Sequence, residues 1–171
     1  MLFEKLLMPD EVYPDYKSLT PQHVGELGKK YIFSDIDNTL ATYDDILPPE
    51  DVILWYNSMR ENGISVVFVS NNDEERVARF ASAVPTVGYA KARKPLTSAL
   101  RNAMRECGAA AEESLLLGDQ LLTDCACAKR AGLFCVIVPP IKDKKSLFFR
   151  FKRLLEKPYM RKFMKNKMGK H

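Results

Sequence analysis

Residues 31–40 read Tyr-Ile-Phe-Ser-Asp-Ile-Asp-Asn-Thr-Leu, an apolar run that ends in two carboxylates, Asp35 and Asp37, two positions apart. In an extended chain, residues i and i+2 project to the same side. Two anions held there repel each other unless a cation or a proton lies between them. The stretch therefore predicts a buried strand over 30–35 whose end carries a charged site.

Four further apolar runs read as strands, at 64–69, 86–90, 114–118 and 134–138. The second ("ISVVFVS") and the last ("FCVIV") are β-branched and apolar on both faces, as in a parallel sheet covered on both sides. Helical patterns separate them. "PPEDVILWYNSMREN" stops at Gly63. "DEERVARFASAV" follows Asn72 or Asp73, either a good N-cap. "PLTSALRNAMREC" places Pro95 in a first helical turn and stops at Gly108, and "LLTDCACAKRAG" stops at Gly132. Strand and helix alternate throughout, which predicts an α/β doubly wound, Rossmann-like domain with a five-stranded parallel sheet. In such folds ligands bind beyond the carboxyl ends of the strands. Asp35 and Asp37, Ser70 and Asn71, and Gly118 and Asp119 all fall at such ends and are expected to converge.

The residue types suggest the chemistry. Neighbouring carboxylates are tolerable around a hard divalent cation, and Mg²⁺ typically uses one or two protein carboxylates with water and phosphate completing its shell. Asp119 and Asp124, in "GDQLLTD", bring further negative charge to the same edge. Ser70 and Asn71 precede a helix N-terminus, where amides favour an anion. Lys94, or its neighbours Lys91 and Arg93 in "KARKP", supplies a cation. Such a set suits phosphoryl transfer. Ser70 could equally be a helix cap, Asp124 a first-turn helix residue, and Thr39 a local turn residue.

Other phosphatase chemistries lack their parts. Cys107 is followed by "GAAAEE" rather than an arginine-bearing cradle. His23 and His171 are the only histidines and are not clustered, and there is no Gly-x-x-x-x-Gly-Lys-Ser/Thr loop. Cys107, Cys125, Cys127 and Cys135 include no Cys-x-x-Cys spacing and read as buried, reduced thiols. The apolar run at the N-terminus is short and interrupted by Glu4 and Lys5, unlike a signal peptide, so a cytoplasmic location is expected.

"DIDNTL", "VSNN", "KP" and "GDQLLTD" resemble, in order, the four motifs of the haloacid dehalogenase superfamily. More narrowly, "LLMPDEVYPDYKSLTPQHVGELGKKYIFSDIDNTL" and "GDQLLTD" resemble the YqeG family of class IIIA phosphatases. The resemblance implies Asp35 as a nucleophile forming an aspartyl-phosphate and Asp37 as general acid and base. It implies Ser70, Asn71 and Lys94 as phosphate ligands. Mg²⁺ would be held by Asp35, the Asp37 carbonyl and Asp119, with Asp124 supporting the metal shell. Relatives of this group act on phosphatidylglycerophosphate, which implies dephosphorylation of that lipid to phosphatidylglycerol. Lipid-active relatives look like Asp-Lys-Asp-Asn-Thr-Leu, whereas position 36 here is Ile. The alternatives are a phosphatase of soluble sugar or nucleotide phosphates, and a non-catalytic module that docks on membrane or RNA.

Asp37 to Ser70 spans 33 positions and Ser70 to Lys94 spans 24, so no cap domain is expected in either gap. Charge is uneven along the chain. Residues 142–171 carry 12 Lys or Arg against Asp143 and Glu156, a net +10, whereas residues 1–141 hold 14 basic against 20 acidic residues, a net −6. "KKSLFFRFKRLLEK" sets Phe148, Phe151 and Leu155 on one helical face, and Pro158 is expected to break that helix. Beyond it, Met160, Phe163, Met164 and Met168 share a face, with Arg161, Lys162, Lys165 and Lys167 around the rest. The chain thus divides into a phosphatase domain over 1–157 and a basic amphipathic tail over 158–171. The tail suits an anionic membrane surface, such as the inner face of a membrane, better than nucleic acid, for which stacking aromatics are few.

Overall fold

A computed structural model describes residues 2–142 and 147–168. Six parallel strands form one sheet: β1 (Glu11–Val12), β2 (Tyr31–Ser34), β3 (Ser65–Val69), β4 (Gly88–Tyr89), β5 (Ser114–Gly118) and β6 (Phe134–Ile137). Their order across the sheet is β1-β6-β5-β2-β3-β4. The central strand β2 pairs with β3 and β5, with Phe33 opposite Val67 on one side and Leu116 on the other. The expected five strands are therefore six. The additional one, β1, is two residues long between Pro9 and Pro14, too short to show a hydrophobic period. It is held by backbone bonds from Asp10 N–H to the Cys135 carbonyl and from Tyr13 N–H to the Ile137 carbonyl. The Asp10 carboxylate also accepts from Cys135 N–H at 2.7 Å and from Lys129 Nζ at 2.5 Å.

The helices are α1 (Leu2–Leu6), α2 (Pro21–Glu26), α3 (Glu50–Glu61), α4 (Glu74–Ala81), α5 (Ser98–Cys107), α6 (Ala126–Ala131) and α7 (Leu147–Met168). Alternation along the strands sorts them into two layers. Ile32, Val66, Phe68, Leu115, Leu117 and Val136 face Trp55, Tyr56 and Met59 of α3 and Val77 and Phe80 of α4. Phe33, Val67, Val69, Leu116, Cys135 and Ile137 face Leu100, Ala103 and Met104 of α5 and Ala126–Ala128 of α6. Burying each large apolar side chain in these layers contributes about 1.5–3 kcal/mol. The crossover from β2 to β3 holds a loop and α3, and that from β3 to β4 holds only α4.

Local signals set the boundaries. Asp73 caps α4, its carboxylate accepting from Arg76 N–H at 2.8 Å. Gly132 ends α6 in the left-handed region at φ 83°, where a side chain would be strained. Two expectations fail. Pro95 is not in a first helical turn, because α5 begins at Ser98 with Thr97 as its N-cap residue. Nor does Pro158 end a helix, since α7 runs through it. Contacts on both sides hold α7 there. Glu156 is buried and accepts from Leu122 N–H at 3.0 Å, and Tyr159 and Met160 pack on the α5–α6 layer.

Phe151 (57% exposed) and Leu155 (44%) lie on the outside of α7. Met164 is also exposed, while Met160 and Phe163 are half-buried, so the predicted Met-rich face is divided between protein and solvent. The side chains of Phe148, Lys167 and Met168, and residues 169–171, lie outside the described residues. No disulfide joins the cysteines: Cys125, Cys127 and Cys135 are buried and Cys107 half-buried. Among the described residues, no helix is long and apolar enough to cross a membrane.

Candidate active site

The strand ends converge as parallel pairing requires. Asp35 follows β2, and its N–H donates to the Leu117 carbonyl at 2.9 Å, joining it to the end of β5. The chain then turns sharply. The Ile36 carbonyl accepts from the N–H groups of Thr39, Leu40 and Ala41, and Asn38 takes φ 67°. Ile36 is fully buried in the α3–α4 layer. An apolar side chain is thus what this position accommodates, and a lysine ammonium in the same rotamer would lose its hydration.

Asp35, Asp119 and Asp124 are all buried, and each offers a carboxylate oxygen within 4.8 Å of the others'. Gly118 permits this approach. A Cβ at that position would lie 2.4 Å from both Cβ and Cγ of Asp124. Lys94 is the ammonium facing the cluster, with Nζ 2.7 Å from Asp35 Oδ1 and 2.7 Å from Asp124 Oδ1. This decides among the three cations of "KARKP". Lys91 and Arg93 are exposed, and Lys91 pairs with Glu74. The Lys94 backbone is held from both ends by Asn71, whose Oδ1 accepts from Lys94 N–H at 2.7 Å and whose Nδ2 donates to the Lys94 carbonyl at 3.1 Å.

Burial dominates the electrostatics here. It pushes the Asp35 carboxyl up, Lys94 opposes, and Asp124 and Asp37 reinforce, leaving Asp35 at about 7. Burial also works against the Lys94 charge, but Asp124 and Asp35 together outweigh it and raise its pKa. One ammonium thus contacts two of the three clustered carboxylates. Oxygen-only donors at this spacing fit a divalent cation.

Asp37 stands outside that cluster. Its Oδ1 accepts from Arg76 Nε at 3.3 Å and Nη2 at 3.1 Å, and its Oδ2 accepts from Asn72 Nδ2 at 3.1 Å. Of its expected roles, the metal contact would fall to its carbonyl, since its carboxylate is engaged elsewhere. Ser70 is buried, and its Oγ accepts from Asn72 N–H at 3.1 Å. Thr39 Oγ1 lies 3.4 Å from Asp35 Oδ2, a long contact. A cavity of about 460 Å³ is lined by Asp35, Asp37, Ser70, Asn71 and Lys94, together with Asp124 and Tyr43 among others.

Asp35, Asp37, Ser70, Asn71, Lys94, Asp119 and Asp124, the residues expected from the sequence, come together at one edge of the fold. Asn72, expected as a helix cap, and Arg76 and Tyr43, which carry no sequence signal of a site, join them there. Arg76, in the first turn of an amphipathic helix, resembles any solvated surface arginine.

Buried carboxylates, a lysine and a hydroxyl surround one pocket at the carboxyl edge of a parallel sheet, the arrangement that the resemblance to the haloacid dehalogenase superfamily implies. Comparison with known proteins agrees. Residues 91–142 match the HAD-hydrolase-like family. The chain is 35% identical over 156 residues to the "Probable phosphatase YqeG" of Bacillus subtilis strain 168, covering 91% of each. It also matches the crystal structure of an uncharacterized protein from Listeria monocytogenes serotype 4b. That match has a TM-score of 0.55 and 14% identity over 68% of this chain and 84% of that one, a likeness of fold. The chain belongs to the YqeG family of haloacid-dehalogenase-type phosphatases.

Proposed function

We propose that the protein is a Mg²⁺-dependent phosphomonoesterase that works through an aspartyl-phosphate on Asp35. The observation that carries this reading is the buried cluster of Asp35, Asp119 and Asp124, whose carboxylate oxygens lie within 4.8 Å of one another, with Lys94 beside it. In the first step an Asp35 carboxylate oxygen bonds to phosphorus and the bond to the leaving oxygen breaks. Asp37 gives that oxygen its proton. In the second step Asp37 takes a proton from water, whose oxygen bonds to phosphorus as the bond to Asp35 breaks. Lys94 and the Ser70 hydroxyl face the pocket where the phosphoryl oxygens would bind. Mg²⁺ bound by Asp35, Asp119 and the Asp37 carbonyl would supply Lewis-acid stabilisation of phosphoryl charge. Asp124 anchors Lys94 and supports that shell.

The substrate is proposed to be phosphatidylglycerophosphate, with phosphatidylglycerol as product. An open pocket with only α3 and α4 in the crossovers leaves room for a bulky ester. The outer side of α7 supports a lipid surface as partner. Phe151, Leu154 and Leu155 are exposed there, on a segment where basic residues far outnumber acidic ones. Such a face suits peripheral binding to an anionic leaflet, each nearby Lys or Arg contributing about 1 kcal/mol. The proposed location is accordingly cytoplasmic, peripheral on the inner face of a membrane. The test is a phosphate-release screen comparing the lipid in mixed micelles with soluble sugar and nucleotide phosphates. Turnover of the lipid, abolished in Asp35→Asn and by chelation, is expected. Turnover of the soluble esters alone would transfer the assignment to a soluble substrate.

A further inference from the structure

Arg76 is the one arginine bonded to a residue of the proposed chemistry among the described residues, and all five of its N–H groups are engaged. Nε and one Nη2 hydrogen point to Asp37 Oδ1, at 3.3 and 3.1 Å. The other Nη2 hydrogen serves the Thr42 carbonyl at 3.1 Å. Nη1 serves the carbonyls of Asp45 and, at 3.1 Å, Ile46. The guanidinium is 5.4 Å from the centroid of the Phe80 ring, one helical turn on, and the side chain is only 12% exposed. A surface arginine with one exposed partner contributes little order. A buried guanidinium with every donor satisfied holds its partners in one geometry.

The two oxygens of Asp37 are not equivalent in this frame. Oδ1 is turned to Arg76, which does not line the pocket. Oδ2 is turned to Asn72, which does. We propose that Arg76 is a positioning residue that locks Oδ1 of Asp37 away from the pocket, so that Oδ2 is the oxygen that exchanges the proton with the leaving group and then with water. The carbonyls of Thr42, Asp45 and Ile46 fix the guanidinium and hence the aim of the carboxylate. This inference rests on the proposed acid–base role of Asp37.

Up to the release of the leaving group, the aim of the acid matters only where the leaving oxygen needs a proton, and kcat/KM isolates that step from the later attack of water. The test compares kcat and KM of purified full-length wild type, Asp37→Asn and Arg76→Met, each in saturating Mg²⁺, on two substrates. One is glycerol phosphate, an alkyl ester with a poor leaving group, and the other is p-nitrophenyl phosphate, whose leaving group departs unprotonated. In Arg76→Met, kcat/KM for the alkyl ester should fall by about 10²-fold, within the range supplied by a placed acid, while that for the aryl ester falls less than about 10-fold. Equal losses of kcat/KM on both substrates would overturn the assignment. If Arg76→Met does not fold, Arg76→Lys decides: it keeps the cation but not the fork, and the same selectivity at smaller amplitude is expected. Added guanidinium ion should restore alkyl-ester turnover in Arg76→Ala. An Asp37→Asn enzyme without leaving-group selectivity would instead remove the acid–base reading of Asp37 itself, independently of what Arg76 does.

Discussion

Replacing Lys94 by methionine tests whether one ammonium holds the acidic cluster together. Its Nζ lies 2.7 Å from both Asp35 Oδ1 and Asp124 Oδ1, and its side chain is 2% exposed. Methionine fills similar volume but leaves two buried carboxylates facing each other with Asp119 nearby. Removing one partner of a buried ion pair costs about 3–5 kcal/mol. The two contacts share one charge, so we take about 4 kcal/mol rather than twice that. At about 2–4 °C per kcal/mol for a chain of this size, the melting temperature should drop by about 8–16 °C in chelator at pH 8. The loss should shrink on acidification. Asp35 titrates at about 7 even beside Lys94, because burial holds it up, so by pH 5.5 it is protonated and repels less. Saturating Mg²⁺ should recover part of the stability at pH 8 by restoring positive charge, without recovering turnover. The assay is calorimetry of wild type and variant at both pH values, with and without Mg²⁺. A variant as stable as wild type at pH 8 in chelator, or a loss that grows toward pH 5.5, would refute the charge account.

Three further outcomes are expected. In chelator, wild-type stability should decline as pH rises from 5 to 8. The Asp35 proton is held more tightly in the folded chain (about 7) than at its ordinary 3.8, so its contribution is full below that value and is lost by about 7. Mg²⁺ should therefore raise the melting temperature more at pH 8 than at pH 5, which parallel melts will measure. Gly118→Ala places a Cβ 2.4 Å from Asp124; a loss of about 1–3 kcal/mol by urea titration, with displaced Asp124 and weakened Mg²⁺ affinity, is expected. Glu156→Ala leaves Leu122 N–H without that acceptor, which should cost about 1–3 kcal/mol in the same titration, while Glu156→Gln keeps an acceptor and should recover most of it.

The parallel sheet was legible because the runs at 64–69 and 134–138 are β-branched and apolar on both faces and helical patterns alternate with the strands. Once those strands lie parallel, Asp35, Ser70 and Asp119 must share an edge, so the site followed from the topology. What stayed hidden depended on contacts between distant positions. Arg76 finds Asp37 39 positions away and the carbonyls of Thr42, Asp45 and Ile46 across 30 to 34, and its helix alone gives no hint of burial. β1 is too short for any period. Pro158 misled because its local preference is real, but α7 is held on both sides of it by Glu156 and by Tyr159 and Met160.

The proposed covalent step can be tested directly by quenching the enzyme during turnover, reducing acyl phosphates with borohydride, and mapping the tryptic peptides by mass. Conversion of Asp35 alone to homoserine, dependent on substrate and absent in Lys94→Met, is the predicted result. Steady turnover with Asp35 unmodified at every quench time, or reduction at a different carboxylate, would contradict it.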